Sequence, residues 1–238
     1  MVNNAGQKGS GATVNVPLPI IEFLARCQVK DTGDQALATM ETFRALIEEA
    51  NRVTNLTRIL SLEDFWTKHV ADSVALALVL PEIAVQPWRI VDIGCGAGVP
   101  MIPLAWAYPN LRLTGIESRH RKAEFVEQAA RHLGLHTCAV VARQAREAAR
   151  LPELAGAFDG IVMRAVGDTE WLLEEALPFV RRGIGTWMAL YKTPAAVSEE
   201  LSVARSVAGR SGFRVTASEE FDLPLAAGRR QFLLLQRA

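Results

Sequence analysis

The fold of this chain is decided by the segment Val91-Asp92-Ile93-Gly94-Cys95-Gly96-Ala97-Gly98-Val99-Pro100. A strand-like apolar run over 89–93 leads into three glycines on alternate positions. Glycine permits a positive φ and a close approach of the backbone to a ligand. Helix-forming sequence follows, and the free N–H groups at its start would face whatever lies in the turn. The segment therefore predicts a strand–turn–helix unit that binds a nucleotide-type cofactor.

The spacing of these glycines excludes two common nucleotide loops. The dinucleotide fingerprint G-x-G-x-x-G needs a glycine at Val99 when counted from Gly94, or at Met101 when counted from Gly96. No Gly-Lys-Ser/Thr follows, so the phosphate-binding P-loop is excluded as well. The remaining pattern, D-x-G-x-G-x-G, resembles the S-adenosylmethionine loop of class I methyltransferases. The resemblance implies cofactor-binding roles for Asp92, Gly94, Gly96, Gly98 and Val99.

A second acidic residue supports a cofactor that contains a ribose. The run 111–116 predicts the next strand, and Glu117 ends it, 25 positions after Asp92. A carboxylate at this place can accept hydrogen bonds from both ribose hydroxyls, as acidic residues about 20 positions on do in nucleotide folds. Ser118 follows directly and is expected to help on the adenine side of the same site.

Composition restricts the kind of protein and its surroundings. The chain has 238 residues, half of them hydrophobic, which suffices for one core or for a domain with a small appendage. No apolar run reaches the roughly 18 residues of a membrane span, and the polar residues 1–16 are expected to form a disordered tail without a signal peptide. Three dispersed cysteines favour a reducing cytoplasm and show no zinc spacing. Equal numbers of basic and acidic residues confine any RNA site to a local patch.

The hydrophobic pattern predicts helices before residue 89 and strand–helix alternation after it. Helical stretches are predicted at 19–29, 35–53 and 61–80. Strands are predicted at 89–93, 111–116, 137–141, 158–163, 184–191, 213–219 and 231–236. We therefore expect a Rossmann-like α/β fold with a mostly parallel seven-stranded sheet. No helix separates the last two strands, so the final strand is expected to be antiparallel. The predicted division is a tail (1–16), an N-terminal helical segment (17–88) and a cofactor-binding domain (89–238).

Further segments match one family of proteins in chain order. They are Asn55-Leu56-Thr57, His69-Val70-Ala71-Asp72-Ser73, Gly98 to Pro103, Phe158-Asp159-Gly160 followed by Arg164-Ala165, Leu190-Tyr191-Lys192, and Gly228-Arg229-Arg230-Gln231. On these segments, from about residue 50 to the end, the chain resembles the RsmG (GidB) family. That family consists of bacterial methyltransferases that modify a guanine N7 in small-subunit ribosomal RNA.

The resemblance carries expectations about cofactor, partner and site. It implies S-adenosylmethionine as donor, S-adenosylhomocysteine as product and no metal. The implied partner is small-subunit ribosomal RNA or the 30S subunit, with no membrane, and we expect a cytoplasmic monomer. Ala145 and Arg146 match a pair that contacts adenine, and Arg164 is placed at the cofactor site. His69 and Asp72, three positions apart on one helical face, are placed near the cofactor and the RNA.

The chain departs from the family pattern at several of these positions. Four departures lie in the matching segments or directly beside them: Met101 replaces glycine, Met163 serine, Thr193 glycine and Gln231 histidine. Arg146 stands where the family usually has glutamate. Two alternatives therefore stay open. One is a methyltransferase of the same fold that acts on another RNA or a small molecule, and the other is a non-catalytic module that retains the cofactor site.

Methyl transfer to guanine N7 makes modest demands on side chains. The nucleophile is a lone pair without a proton, so no general base is required, and holding N7 about 3–3.5 Å from the methyl carbon can suffice. The sequence shows no Ser/His/Asp or Cys/His set, which agrees with this chemistry. Arg164 is the one candidate catalytic residue. A cation would oppose the positive charge that develops on the base, so Arg164 is expected to engage a carboxylate or a phosphate.

Basic residues in the family segments and after the second strand are the candidates for contacting RNA. Their side chains would bind phosphates, with an affinity that falls as salt rises. A run of charges is also typical of a solvated helix face, and that alternative stays open. The candidates are Arg119, Arg121, Lys122, Lys192, Arg229 and Arg230.

Overall fold

A computed structural model describes residues 14–164 and 169–237, so most of the expected N-terminal tail (1–16) lies outside the described residues. In these ranges the strands are β1 Arg89–Ile93, β2 Arg112–Ile116, β3 Cys138–Val141, β4 Gly160–Arg164, β5 Trp187–Lys192, β6 Phe213–Ala217, β7 Phe221–Asp222 and β8 Arg229–Arg237. Seven of them form one sheet in the order β3-β2-β1-β4-β5-β8-β6, and β7 pairs with β8. The pairs among β1 to β5 are parallel, and β8 runs antiparallel to its neighbours.

This architecture confirms the predicted mostly parallel sheet of seven strands with an antiparallel last strand. The two-residue strand β7 was not predicted, because so short a run carries no periodicity. Strand β5 begins at Trp187 rather than at 184, since Gly183 and Gly185 both have positive φ and form a turn there. Both corrections lie away from the glycine loop.

The helices cover both faces of the sheet. They are α1 Leu18–Arg26, α2 Asp34–Asn51, α3 Leu62–Asp64, α4 Asp72–Val74, α5 Met101–Ala107, α6 His120–His132, α7 Ala145–Ala148, α8 Thr169–Ala176 and α9 Pro194–Gly209. Helix α8 ends at Ala176, and a 3-10 turn, Leu177–Phe179, follows. Pro178 lacks the N–H that a continuing α-helix would use, which accounts for the change.

The helix predicted over 61–80 is continuous but irregular. Ser61 caps it by accepting a hydrogen bond from the Asp64 N–H. Residues Phe65–Ala71 then form a π-helix, and a 3-10 turn, Ala75–Leu78, ends the segment. The π-helical turn includes His69 and ends one residue before Asp72, and such turns are frequent at functional sites. We refer to residues 62–78 as the π-segment.

Two hydrophobic cores hold the layers together. Alternation along β1 sends Ile90 into one core and Val91 into the other, as the two-residue period of a strand requires. The first core also contains Phe43 of α2 and Trp66 of the π-segment, so the N-terminal helices pack directly on the sheet. The second core contains Leu172 of α8. In the described ranges no helix combines the length and the apolar character needed to cross a bilayer.

The sheet order determines where a ligand can bind. From β1 the chain proceeds through β2 and β3 on one side and through β4 and β5 on the other. The strand order therefore reverses at β1, and ligands of open α/β sheets bind in the crevice beyond the carboxyl ends of the strands at such a point. The glycine loop, Glu117 and Arg164 all lie at this edge.

Candidate cofactor and substrate site

A cavity of about 460 Å³ lies at the carboxyl ends of β1, β2 and β4 and extends past β3. Its volume is in the range of small-molecule sites. The lining residues are Leu56, Thr57, His69, Ile93, Gly94, Cys95, Gly96, Ala97, Val99, Ile116, Glu117, Ser118, Arg119, Lys122, Arg143, Ala145, Arg164 and Trp171. Sequence segments that are far apart in the chain thus meet around one space.

The glycine loop is held against β2 by its own backbone. The N–H groups of Gly94 and Cys95 donate to the Ile116 carbonyl at 2.8 and 3.2 Å. Gly96 has a φ of +57°, and its N–H donates to Glu117 Oε2 at 3.0 Å. Gly98 has a φ of +84°, and a Cβ there would lie 2.8 Å from the Ile102 side chain. Gly96 therefore shapes the cavity wall, whereas Gly98 allows helix α5 to pack closely.

Glu117 is placed as a ribose ligand would be. It is 8% exposed and lines the cavity. Besides the bond from Gly96, its Oε1 accepts a hydrogen bond from the Arg119 N–H at 2.8 Å. Each carboxylate oxygen has two lone pairs, so both retain a site for a further donor such as a hydroxyl. The two backbone bonds hold the carboxylate in place before any ligand arrives.

Asp92 is fully buried under the loop and does not line the cavity. Its Oδ2 accepts a hydrogen bond from the Met101 N–H at 3.1 Å, and within the described structure its Oδ1 has no partner. Burial raises the pKa of this carboxyl to about 7, with Glu117 adding to the rise and the Met101 bond and Arg164 opposing it. A buried carboxyl group whose Oδ1 has no described partner, beneath a nucleoside-sized cavity, suits a cofactor that carries positive charge, as the sulfonium of S-adenosylmethionine does.

Arg164 lies in a cluster of two arginines around one carboxylate. Its Nη1 donates to Asp72 Oδ2 and to the Lys68 carbonyl, both at 2.7 Å. Arg230 Nε donates to Asp72 Oδ1 at 3.0 Å. We call Asp72, Arg164 and Arg230 the arginine–aspartate cluster; its carboxylate side chain is 5% exposed. The expectation that Arg164 engages a carboxylate is thereby confirmed, and two guanidinium groups on one carboxylate leave a net positive charge at the cavity edge.

His69 connects this cluster to the cavity wall. Arg164 Nη2 lies 3.1 Å from His69 Nδ1, and His69 Nε2 lies 3.3 Å from Thr57 Oγ1. Burial, together with the charge of Arg164, lowers the pKa of His69 to about 3, so the ring is neutral at pH 7. Since arginine only donates, Nδ1 must be the acceptor and the proton is on Nε2. Thr57 Oγ1 also accepts from the Ile59 N–H at 3.1 Å, which leaves its own proton to donate.

The structure brings part of the predicted site together at the cavity. The predicted residues that line it are Gly94, Gly96, Val99, Glu117, Ser118, Ala145, Arg164, His69, Arg119 and Lys122. Those that do not line it are Asp92, Gly98, Arg146, Asp72, Arg121, Lys192, Arg229 and Arg230. Their assignments as cofactor or RNA ligands stay predictions, because no ligand contact is described.

Several predicted residues are engaged elsewhere in the protein. Asp72 is 3% exposed, and its carboxylate is held by two arginines, so its assignment to the RNA site stays a prediction. Lys192 pairs with Glu200 at 2.7 Å and its side chain is 12% exposed. Arg146 turns to the buried Glu175 of α8 rather than into the cavity, and Arg229 pairs with Glu220.

Three residues at the cavity or beside it were missed by the sequence reasoning. Arg143 follows β3 at the carboxyl edge, and the rule that located Glu117 could have found it. Arg58 lines an adjoining cavity together with Asn55, Leu56 and Thr57, directly after the Asn-Leu-Thr motif. No pattern in the neighbouring sequence indicates that Trp171 of α8 lines the cofactor cavity.

The departures from the family pattern are accommodated by packing. Met101 is fully buried, and its sulfur lies where a Cβ of Gly115 would be 2.9 Å away. Met163 is 1% exposed in the second core. Thr193 caps α9 by accepting from the Ala196 N–H at 3.3 Å, and Gln231 donates to the Ser218 carbonyl at 2.7 Å. None of these four residues lines the cofactor cavity.

Comparison with protein families gives a match over more than half of the chain. The model of the GidB family, described as rRNA small subunit methyltransferase G, matches residues 36–222. A ribosomal RNA small subunit methyltransferase G from Geobacillus kaustophilus is 34% identical over 205 residues, covering 86% of this chain and 84% of the relative. The protein of that name from Deinococcus radiodurans is 35% identical over 193 residues, with 81% and 74% covered.

Solved structures show the same fold at low sequence identity. The magnesium protoporphyrin IX methyltransferase of Synechocystis, solved with bound S-adenosylmethionine, has a TM-score of 0.54 at 15% identity and covers 82% of this chain and 97% of its own. A precorrin-6y C5,15-methyltransferase from Geobacter metallireducens has a TM-score of 0.52, also at 15% identity, with 68% and 87% covered. These likenesses establish the Rossmann-like methyltransferase fold and nothing about the acceptor.

Proposed function

This chain belongs to the rRNA small subunit methyltransferase G family, and from that premise we propose that it transfers a methyl group from S-adenosylmethionine to N7 of a guanine in small-subunit ribosomal RNA. The observation that carries the proposal is the cavity itself. It combines the glycine loop and Glu117, which suit a nucleoside, with a wall of Thr57, His69 and Arg164 that contains no base for removing a proton. Guanine N7 is an acceptor that needs none.

The side chains around the cavity suit transfer to a neutral lone pair. The cofactor, when bound, supplies a methyl group activated by the adjacent sulfonium. His69 is neutral at pH 7 and shares its Nδ1 lone pair with Arg164, so it neither protonates N7 nor competes for the methyl group. The carboxylate of Asp72 offsets the charge of Arg164, which reduces its repulsion of a base that becomes positive. The Thr57 proton remains to donate to an oxygen such as guanine O6.

Four arginines form the proposed contact surface for RNA phosphates: two line the cavity, and two directly follow or precede a lining residue in the chain. They are Arg58, Arg119, Arg121 and Arg143, and we call them the mouth arginines. Each is exposed, and in the described part of the chain none is ion-paired, unlike Lys192 and Arg229. Unpaired surface guanidinium groups are suited to bidentate phosphate contacts. We propose that they orient the RNA while the cavity takes the target base.

The acceptor can be identified by supplying labelled S-adenosylmethionine with unmodified 30S subunits, naked ribosomal RNA and a metabolite extract. Label on a guanine N7 of the small-subunit RNA is the expected result. Label in small molecules alone would support a same-fold enzyme with another substrate, and cofactor binding without any transfer would support a non-catalytic module. Comparing 30S subunits with naked RNA also shows which form is the substrate. The three free cysteines agree with a cytoplasmic site of action, and we propose a monomer.

Removing two mouth arginines is expected to weaken RNA binding in a salt-dependent manner. In the double variant Arg58→Ala/Arg121→Ala we expect affinity for the RNA to fall about fivefold or more near 0.1 M salt. The slope of log affinity against log salt should become shallower by roughly 1–2, since each lost phosphate contact removes about 0.7–0.9. Binding of labelled RNA measured at several salt concentrations tests both numbers.

Arg131→Ala is the matched control for this experiment. It removes one arginine from the same helix as Arg121, but near the end far from the cavity, where Arg131 pairs with Glu127 and is 73% exposed. The control should bind RNA with the affinity and the salt slope of the unchanged protein. The control removes one charge and the double variant two, so a change of salt slope in the control half as large as in the double variant would show that RNA senses only overall charge, and the proposed surface would have to be abandoned.

A further inference from the structure

Trp171 lies in the first turn of α8, and its placement differs from that of its apolar neighbours. Leu172, Leu173 and Ala176 are 2% exposed or less and face the second core. Trp171 is 42% exposed and lines the cofactor cavity instead. A large aromatic ring on the cavity wall offers an apolar face to whatever binds there.

The contacts of α8 show which end of the cavity the ring covers. Glu175 lies one turn after Trp171, so the two share a helix face. Glu175 pairs with Arg146 of α7, the neighbour of Ala145. The face that bears Trp171 is therefore turned toward α7, and side chains of a helix lean toward its N-terminus, here toward the cavity. The ring thus belongs to the side lined by Ser118, Arg143 and Ala145.

We infer that the indole of Trp171 stacks on the adenine of the bound cofactor and forms the wall of an adenine subsite; this inference rests on the proposed function. With the ribose held at Glu117 and the glycine loop on the β1 side, the base extends toward Ser118 and Ala145, under the ring. Stacking needs only the π-face that every base has, and one aromatic side chain contributes substantially to such binding. Arg146, being paired with Glu175, does not occupy the space.

The experiment measures binding of S-adenosylhomocysteine and of 5′-methylthioadenosine to the full chain by calorimetry, and it needs no RNA. Trp171→Ala is expected to weaken both ligands by about tenfold, a factor within the range measured for base stacking. Trp171→Phe keeps a ring and should stay within about threefold of the unchanged protein. The chain has five tryptophans, and none of the other four lines the cavity, so the change of indole emission on ligand binding should vanish in Trp171→Phe.

Glu174→Ala is the matched control, because Glu174 is exposed on the same helix and does not line the cavity. It should leave both affinities unchanged. Unaltered affinities in Trp171→Ala would overturn the inference, as would a loss confined to S-adenosylhomocysteine, which would place the ring at the amino-acid end. If the unchanged protein bound neither nucleoside, the proposed function would fall too, whereas the other outcomes leave that function standing.

Discussion

Replacing Arg164 by alanine is expected to reduce methyl transfer at least tenfold. The guanidinium, 15% exposed, donates to Asp72, the Lys68 carbonyl and His69 Nδ1 at once, and it lines the cavity. Without it, Asp72 keeps only the Arg230 bond among its described partners, and His69 loses the donor that sets its tautomer. Removing one partner of a buried ion pair is strongly unfavourable locally, because the remaining groups are left without compensation.

A second measurement separates loss of function from loss of structure in this variant. The charge of Arg164 contributes to lowering the pKa of His69 to about 3, so that pKa should rise in Arg164→Ala, which NMR titration of the imidazole can follow. Arg181→Ala is the matched control: Arg181 pairs with Asp159, which lies before β4 at the opposite edge of the sheet. It should transfer methyl groups normally. Normal methyl transfer by a folded Arg164→Ala protein would contradict a role for Arg164 in the reaction.

Asp92→Asn is expected to stabilise the fold above pH 7 and to weaken S-adenosylmethionine binding at least tenfold. The pKa of Asp92 is raised from 3.8 to about 7 by burial. Between these values the unfolded chain ionises while the folded protein stays protonated, so stability falls as pH rises from 3.8 to 7 and is then level. The asparagine side chain does not titrate, so its presence avoids this loss of folding stability. Its amide oxygen can still accept the hydrogen bond from the Met101 N–H. At pH 8 the free energy of unfolding, measured with urea, should be roughly 1–4 kcal/mol higher in Asp92→Asn than in the unchanged protein. This difference should vanish below pH 3.8.

The affinity for the cofactor should change in the opposite direction. An ionised Asp92 attracts the sulfonium through a medium of low dielectric constant. In the unchanged protein, affinity for S-adenosylmethionine should rise with pH through about 7 and then level off, and Asp92→Asn should lose this rise. S-Adenosylhomocysteine has a neutral sulfur and should respond less. Equal losses for both ligands would argue against the charge mechanism. Asp159→Asn, at the far edge of the sheet, serves as the control.

Much of the fold could be predicted from local pattern. Strand β1 was predicted at its observed bounds, Arg89–Ile93, and β2 and β3 within one residue at either end. These strands are short apolar runs bounded by turn residues, a signal contained in a few neighbouring positions. The prediction was less accurate for the π-segment, because a π-helical turn has the same apolar composition as a regular helix.

The candidate site was predicted in part. Residues whose role depends on their position in a strand were found, whereas pairings with distant residues were missed. Glu117 was found because its role depends on its position at a strand end. The pairing of Asp72 with two arginines was not predicted, because those partners lie 92 and 158 positions away, beyond the reach of any local pattern. The same holds for Lys192, which carries the charge expected of a phosphate ligand yet pairs with Glu200 in the folded chain.

Local sequence was enough to predict the parallel sheet, the glycine loop and the acidic residue that points to a ribose, because each depends on neighbouring positions and on the strand order they imply. The folded chain was needed to establish which charges are paired, which tautomer His69 adopts, and that Trp171 lines the cavity. The physical reason is that pKa, tautomer and charge pairing depend on burial and on distances of a few ångströms between distant segments. Those distances exist only once the two cores have formed.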